Sequence, residues 1–467
     1  MGFSLDNRTW AEQEFSECEL GDRRRTKRLI QVAQQVANNP SASFPEQMEK
    51  WGDLKAAYRL FDQEEVTFEA IARPHWEETR NRPPGRYLVL NDTTELDFGI
   101  HRDIDGLGPT GNGGGRGFLL HNALLVDAEN QSLVGVAGQT IHYRKPVRKK
   151  ENDSRRLKRE RESKVWGEVI DDVGQPSEGT EFVHICDRGA DNFEVFCHLI
   201  EQRSDWVVRA ASRNRVIVTP DDERMPLSEY LPTLPLAGTY ELHVRARKKQ
   251  PARTAKLEVR FGKLWMPAPA HKSPYVKQLN LEPIEMWVVH VREVDAPSGV
   301  EPIEWVLYTS LCVESFEDAW VIIEYYEGRW LVEEYHKALK TGCRVTNRGL
   351  KEAQRLEPMV GLMSVVAVRL LQLKSVARSD PDRPAQRIVP RLWLAMLKAA
   401  RKNIRRVYDI TVGEFYRELA KLGGFLGRKC DGEPGWITIW RGWEKLNMLI
   451  RGAELAADLR MELKKCG

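Results

Sequence analysis

The stretch YEGRWLVEEYHKALK, Tyr326–Lys340, governs how the rest of the chain is read. It has no Gly or Pro after Gly328 and reads as a helix. At about 3.6 residues per turn, Tyr326, Arg329, Glu333, Lys337 and Lys340 share one face, with His336 beside them. Leu331, Tyr335, Ala338 and Leu339 fall on another face and pack inward. One carboxylate ringed by cations, a phenol and an imidazole admits two readings. It is a solvated face laced with i,i+4 ion pairs, or a site where Glu333 holds a metal and the cations hold phosphates. The flanking segments must decide.

Upstream, two apolar strands each run into an acid. Tyr87–Leu90 leads into Asn91-Asp92-Thr93-Thr94, and Glu181–Cys186 leads into Asp187. Between them the glycine-rich segment Gly106–Gly117 reads as a hairpin loop, since a phosphate cradle would need the Walker lysine and Ser/Thr that it lacks. His121–Val126 and Leu133–Ala137 read as strands, and the basic run from Arg144 to Lys164 leads into a charged helix ending near Val173. A helix, Asn192–Gln202, and a strand, Asp205–Ala210, follow. Residues 212–302 lose the helical pattern; Tyr240–Arg247, Thr254–Trp265 and Ile284–Val294 make a β insertion. Glu304–Leu311 returns to a core strand, and Ser315 opens the helix quoted first.

This order makes residues 83–349 a mixed α/β domain, entered through Pro83-Pro84-Gly85. Ligands gather at the carboxyl ends of strands in such sheets, where Asp92 and Asp187 stand and where a later helix can bring Glu333. Three hard carboxylates without cysteine neighbours favour Mg²⁺ or Mn²⁺ over zinc. Two such ions about 4 Å apart would serve an in-line phosphoryl displacement. Asp97 and Asp191 are nearby alternates.

Residues 1–82 and 350–467 read as helical. Asp22 caps a helix running to about Ala37 and stopped by Asn38-Asn39-Pro40. Its first turns carry Arg23, Arg24, Arg25, Lys27 and Arg28, which oppose the helix dipole; local stability does not explain them, and a phosphate partner would. Helices at Asp53–Phe61 and Thr67–Arg80 add Arg59 and Arg73 as further candidates for DNA contact. The C-terminal helices are Met359–Lys374, a basic Pro390–Arg406 and one after Trp436–Trp443.

Composition fits this picture: 30% charged and 42% apolar residues describe a soluble globular chain, and a net charge of +3 does not by itself demand nucleic acid. Seven scattered cysteines without a CxxC pair indicate neither a zinc ribbon nor a disulfide framework. The longest apolar run, Gly361–Leu373, is interrupted by Arg369 and too short to span a bilayer, so a cytoplasmic protein without membrane contact is expected.

Several stretches together resemble the DDE cut-and-paste transposases of bacterial insertion sequences. They are LGDRRRTKRL at 20–29, AAYR at 56–59, NDTTELDF at 91–98, RGFLLHNALLV at 116–126 and CDRGADNF at 186–193. WVVR at 206–209, EWVLYTS at 304–310, YEGRWLVEEYHKALKTG at 326–342, VAVRLLQL at 366–373 and LGGF at 422–425, followed by Trp436, Trp440 and Trp443, continue the likeness. The chain is similar to the IS-four family, in the group with a Tyr-Arg-Glu-Lys signature typified by the transposase of the kanamycin-resistance composite transposon. The resemblance implies a ribonuclease H-like mixed sheet with an inserted β subdomain. It also implies a helical domain binding transposon ends (1–82) and a helical dimerisation domain (350–467). Asp92, Asp187 and Glu333 would be catalytic metal ligands, holding two Mg²⁺ or Mn²⁺ ions when DNA is bound. Tyr326, Arg329, Lys340 and Arg209 would grip phosphates, Trp305 would stack on a flipped base, and Arg24, Arg25, Arg28 and Arg59 would bind the end. Trp330 and Lys337 complete the expected DNA contacts. The partners implied are transposon-end and target DNA and a second copy of the chain. Asn38-Asn39 replaces a Lys-Tyr pair of the relative, which puts the recognised end sequence in question. A catalytically inert, repressor-like copy and a plain ribonuclease H-like nuclease are the rival readings; the complete acid set argues against the first and the N-terminal helices against the second.

Overall fold

The computed structural model describes the chain except residues 1–4, 49, 103, 112–113, 146–162, 245, 247–250, 282, 402–408, 429–430 and 466–467. Most of the basic segment 144–164, and Lys402, Arg405 and Arg406, therefore lie outside the described residues. Four longer N-terminal helices come first, α1 (Asn7–Phe15), α2 (Arg23–Asn38), α3 (Trp51–Phe61) and α4 (Phe68–Arg80), with a single-turn helix at Phe44–Gln47 between α2 and α3. Their starts obey capping rules. Asp6, Asp22 and Thr67 each accept a hydrogen bond from a first-turn N–H of α1, α2 and α4.

The central sheet is built from β1 (Gly85–Asp97), β2 (Gly115–Asp127), β3 (Leu133–His142), β4 (Thr180–Cys186) and β5 (Asp205–Arg209). Helices α5 (Lys164–Val173) and α6 (Phe193–Glu201) separate the last three. β1 lies between antiparallel β2 and parallel β4, β3 flanks β2, and β5 runs parallel to β4. The order β3-β2-β1-β4-β5 is that of a ribonuclease H-like sheet. The β insertion is present as β6 (Leu236–Val244), β7 (Arg253–Met266) and β8 (Ile284–Val294), but it does not stand apart. β9 (Glu304–Thr309) pairs with both β5 and β8, so the insertion prolongs the central sheet, which has twelve strands among the described residues.

The two faces are covered differently. Tyr87, Val89, Ala123 and Leu125 meet Val169 and Val173 of α5. Leu88, Leu90, Leu120 and Leu124 face the other way, into one core shared with α7 (Phe316–Gly328), α8 (Trp330–Lys337) and the terminal helices. Alternation along β1 thus decides which residues look at which helices.

Helix α9 (Ala353–Ser379) runs through that shared core against α4, β3, α11 (Val412–Leu422) and α12 (Trp436–Lys465). Among the described residues it alone is long and apolar enough to cross a membrane, yet 89% of its most apolar window lies inside the protein. Arg369, at its middle, is fully buried. It donates to Asn7 Oδ1 at 2.5 Å and stands over the rings of Trp10 and Trp443, at 4.7 and 5.5 Å. Burial pulls its pKa down to about 9. The residue that interrupts the apolar run in the sequence therefore joins α1 to α12. Helix α10 (Arg391–Ala400) covers the outer side, with Trp393 edge-on to Trp443.

Three sequence expectations change. β1 does not end at Leu90; its pairing with β2 continues to Asp97, so Asp92 sits inside a strand. The helix from Ser315 is segmented: α7 ends at Gly328, α8 begins at Trp330, and a wider turn occupies Ala338–Gly342. His336 is buried, not part of the charged face, because its Nε2 meets Asn122 Nδ2 at 3.0 Å.

Candidate active site

Asp92 and Asp187 arrive together through strand register. Asn91 of β1 pairs with Cys186 of β4 in parallel, so the next residue on each strand is an aspartate, about 5 Å apart at the backbone. Asp187 ends β4 and caps the following turn, accepting from Gly189 N–H at 2.7 Å. Gly189 has to be glycine: a Cβ there would come within 2.8 Å of Trp166 and 3.0 Å of Asp187 Oδ1.

Asp92 shares its face with Leu88 and Leu90 and so looks at α8. Arg329, at the junction of α7 and α8, donates to Asp92 Oδ2 at 2.9 Å through Nη1 and to Glu333 Oε1 at 2.8 Å through Nη2. One guanidinium therefore brackets two of the three acids. Burial pushes the Asp92 carboxyl up to about 6; Arg329 opposes that shift and Asp187 adds to it. Lys340 closes the site, its Nζ 3.5 Å from the Glu95 carbonyl, and burial lowers its pKa against the attraction of Glu95 and Asp92.

Aromatic rings flank the acids. Tyr326 is buried, with the Arg329 guanidinium 6.0 Å from its ring centre and Trp305 of β9 edge-on at 5.6 Å. Arg209, at the end of β5, donates to the Glu304 carbonyl at 3.1 Å and so stands next to Trp305. The structure thus brings together Asp92, Asp187, Glu333, Arg329, Tyr326, Lys340, Trp305 and Arg209. Trp330 and Lys337 stay outside this group: Trp330 is about half exposed under Lys374 Nζ, 4.8 Å from its ring, and Lys337 is exposed on α8.

The alternates have other duties. Asp191 is an interior anchor, accepting from Ala211 N–H at 2.7 Å and pairing with Arg215 at 2.6 Å. Asp97 accepts from the backbone of Gly99 and Arg116.

Sequence reasoning missed a layer on the opposite face of the sheet. Asn91 Nδ2 meets His184 Nδ1 at 3.1 Å and Thr93 Oγ1 meets His121 Nδ1 at 2.7 Å, directly behind Asp92. Burial drives His121, His184 and His336 down to about 3, so all three are neutral. The signal was present as polar residues inside apolar strands, in FLLHNALLV and FVHIC.

In the N-terminal helices Arg25 donates to the Leu20 carbonyl and to Gln63, and it pairs with Glu65 at 2.8 Å. Arg28 pairs with Asp53 at 2.9 Å. Local contacts therefore do account for these two cations. Arg24, with its side chain 90% exposed, reaches only its own cap residue, Asp22, among the described contacts, and Arg59 is exposed. Arg73 is committed inside the molecule, to Asp172 and Glu69.

Among the described residues no three His, Cys, Asp or Glu side chains already stand close enough to hold a metal. The donor set nevertheless fits a hard dication: two neighbouring aspartates repel each other, and half-exposed Glu333 is tied to them only through Arg329.

Three family matches cover most of the chain. Residues 7–66 match the transposase DNA-binding family, residues 111–368 the transposase DDE domain and residues 365–461 the transposase Tn5 dimerisation domain. The DDE match contains Asp187 and Glu333 and begins after Asp92. With these three parts the protein is a dimerising DNA transposase that binds transposon ends and carries out divalent-metal-dependent phosphoryl transfer on DNA. The chain belongs to the DDE transposases, of the Tn5 type within the IS-four family.

Proposed function

We propose that Asp92, Asp187 and Glu333 are the catalytic acids and that they hold two Mg²⁺ ions, Mn²⁺ substituting, once DNA is bound. The observation that carries this reading is the Arg329 guanidinium between Asp92 and Glu333, with Asp187 beside Asp92 on the next strand. When bound, the ions would supply activation of the attacking oxygen and charge neutralisation at phosphorus. Arg329 and Lys340 hold phosphates of the cleaved strand, with Tyr326 fixing the guanidinium from below. Arg209 holds the neighbouring strand, and Trp305 takes up an unstacked base, so that the freed 3′-hydroxyl can reach the opposite strand and close a hairpin. Hairpin opening and joining to target DNA use the same acids.

The domain limits follow as 1–82 for end binding, 83–349 for catalysis and 350–467 for dimerisation. Arg24, Arg25, Arg28 and Arg59 contact the end, Arg25 and Arg28 exchanging their present carboxylate partners for phosphate. Trp330 and Lys337 extend the contact along α8. Exposed Leu455, Leu459 and Met461 on α12 supply an apolar dimer face, and the working compartment is the bacterial cytoplasm. The test is cleavage of a duplex bearing the inverted repeat that flanks the reading frame, with Mg²⁺ or Mn²⁺. The expected products are a nick and then a hairpin; cleavage that survives Asp187→Ala would remove the metal assignment.

A further inference from the structure

Helix α3 buries Leu54, Ala57, Leu60 and Phe61 and turns Trp51, Lys55 and Arg59 outward at i, i+4 and i+8. Trp51 is 68% exposed, far beyond what an indole needs for its N–H to reach water. Lys55 Nζ lies 5.2 Å from the ring centre, one turn along the same face. The pairing of Arg28 with Asp53 docks α2 against α3, and Arg23, Arg24 and Lys27 are exposed on the first turns of α2. A bare aromatic with Lys55 and Arg59 on its own helix face is complementary to a polyanion that also offers flat apolar surface. Double-stranded DNA is such a partner.

We propose that Trp51 reads the transposon end: its indole enters a groove of the terminal-repeat duplex and packs on the bases there, while Lys55 and Arg59 hold the flanking phosphates. This rests on the reading that α2 and α3 bind the ends. The division of labour is physical. The two cations attract any sequence, with an affinity that falls steeply with salt. The uncharged indole has no net charge for a phosphate to attract; its main gain comes from leaving water against bases, and depends on how readily those bases let it in.

The experiment measures binding by the full-length protein to a duplex carrying the flanking inverted repeat and to a shuffled duplex of equal length, over a range of NaCl concentrations. Because Trp51 is exposed, Trp51→Ala should melt with the wild type. It is expected to lose about tenfold or more in affinity for the repeat, little for the shuffled duplex, and to keep the same salt slope; Trp51→Phe should recover part of the loss. Arg59→Ala should instead weaken both duplexes and reduce the slope by about one. Unchanged repeat affinity in Trp51→Ala overturns the proposal, as does an equal loss on both duplexes. In that event an intact Arg59→Ala effect leaves end binding by these helices standing, and its absence removes that reading too. A change in dimerisation without a change in DNA affinity would also overturn it and make Trp51 a protein contact.

Discussion

The two faces of the sheet at Asp92 are a few ångströms apart and chemically opposite. Towards α8, Asp92 and Glu333 share the Arg329 guanidinium at a half-open surface. Towards α5, Asn91 and Thr93 pair with His184 and His121, which are wholly buried and uncharged. Consecutive residues of one strand make both. Charge is kept where a cation can replace or join Arg329, and the backing that holds the strand in place is polar but neutral, so that it adds no field of its own. The acid site should therefore fail through chemistry and the backing through stability.

The sharpest break is Asp187→Ala. Without one of two neighbouring carboxylates the hard-ion site is lost, and cleavage of end-bearing DNA should fall by at least about a thousandfold, since an ion at phosphorus is worth several kcal/mol. Circular dichroism should show the fold unchanged.

Asp92→Asn tests the charged face from the stability side. Its carboxyl, raised to about 6, binds a proton more tightly in the folded than in the unfolded protein. Its contribution to stability is thus present in full below the ordinary carboxylate pKa and disappears as pH rises through about 6. Metal-free Asp92→Asn, which cannot ionise, should then be more stable than wild type at pH 7.5 by about 3 kcal/mol, since the raised carboxyl pKa already includes the attraction of Arg329. Urea unfolding at pH 4 should show the gap closed. Mn²⁺ should stabilise the wild type and not the variant.

Thr93→Val probes the neutral face. It keeps the shape and removes the hydroxyl that partners His121, at a cost of about 1–2 kcal/mol. That cost should be the same at pH 5 and pH 8, because His121 stays neutral throughout, and the folded variant should cleave at the wild-type rate. A pH-dependent cost would mean that the imidazole charges. The smallest effect belongs to Arg24→Ala: a few-fold weaker DNA binding and a salt slope lower by about one, read by titration.

Much of this was legible in the sequence because periodicity reports burial. Ile284–Val294 alternates and is a strand to the residue, and Asp22 caps the helix where its side chain was expected to. The two aspartates were legible as candidates because each follows an apolar run, and a chemically odd helix was at hand to meet them. What could not be read was pairing across distance. Arg28 with Asp53 and Arg25 with Glu65 look like spare cations until the helices are docked. The end of β1 was missed because Thr93–Asp97 is too polar to read as a strand, and only its hydrogen bonding to β2 keeps it extended. The histidine layer was missed because a buried imidazole and a surface one are the same letter.

The continuity of the sheet has one more consequence. Trp305 and Asp92 belong to strands of a single hydrogen-bonded array, separated by β4 and β5, a lateral span of about 14 Å across the strands. No hinge interrupts that distance, so it cannot stretch to suit a guest. With the contacts proposed for Asp92 and Trp305, the protein is the gauge block and a duplex laid across it has to give way.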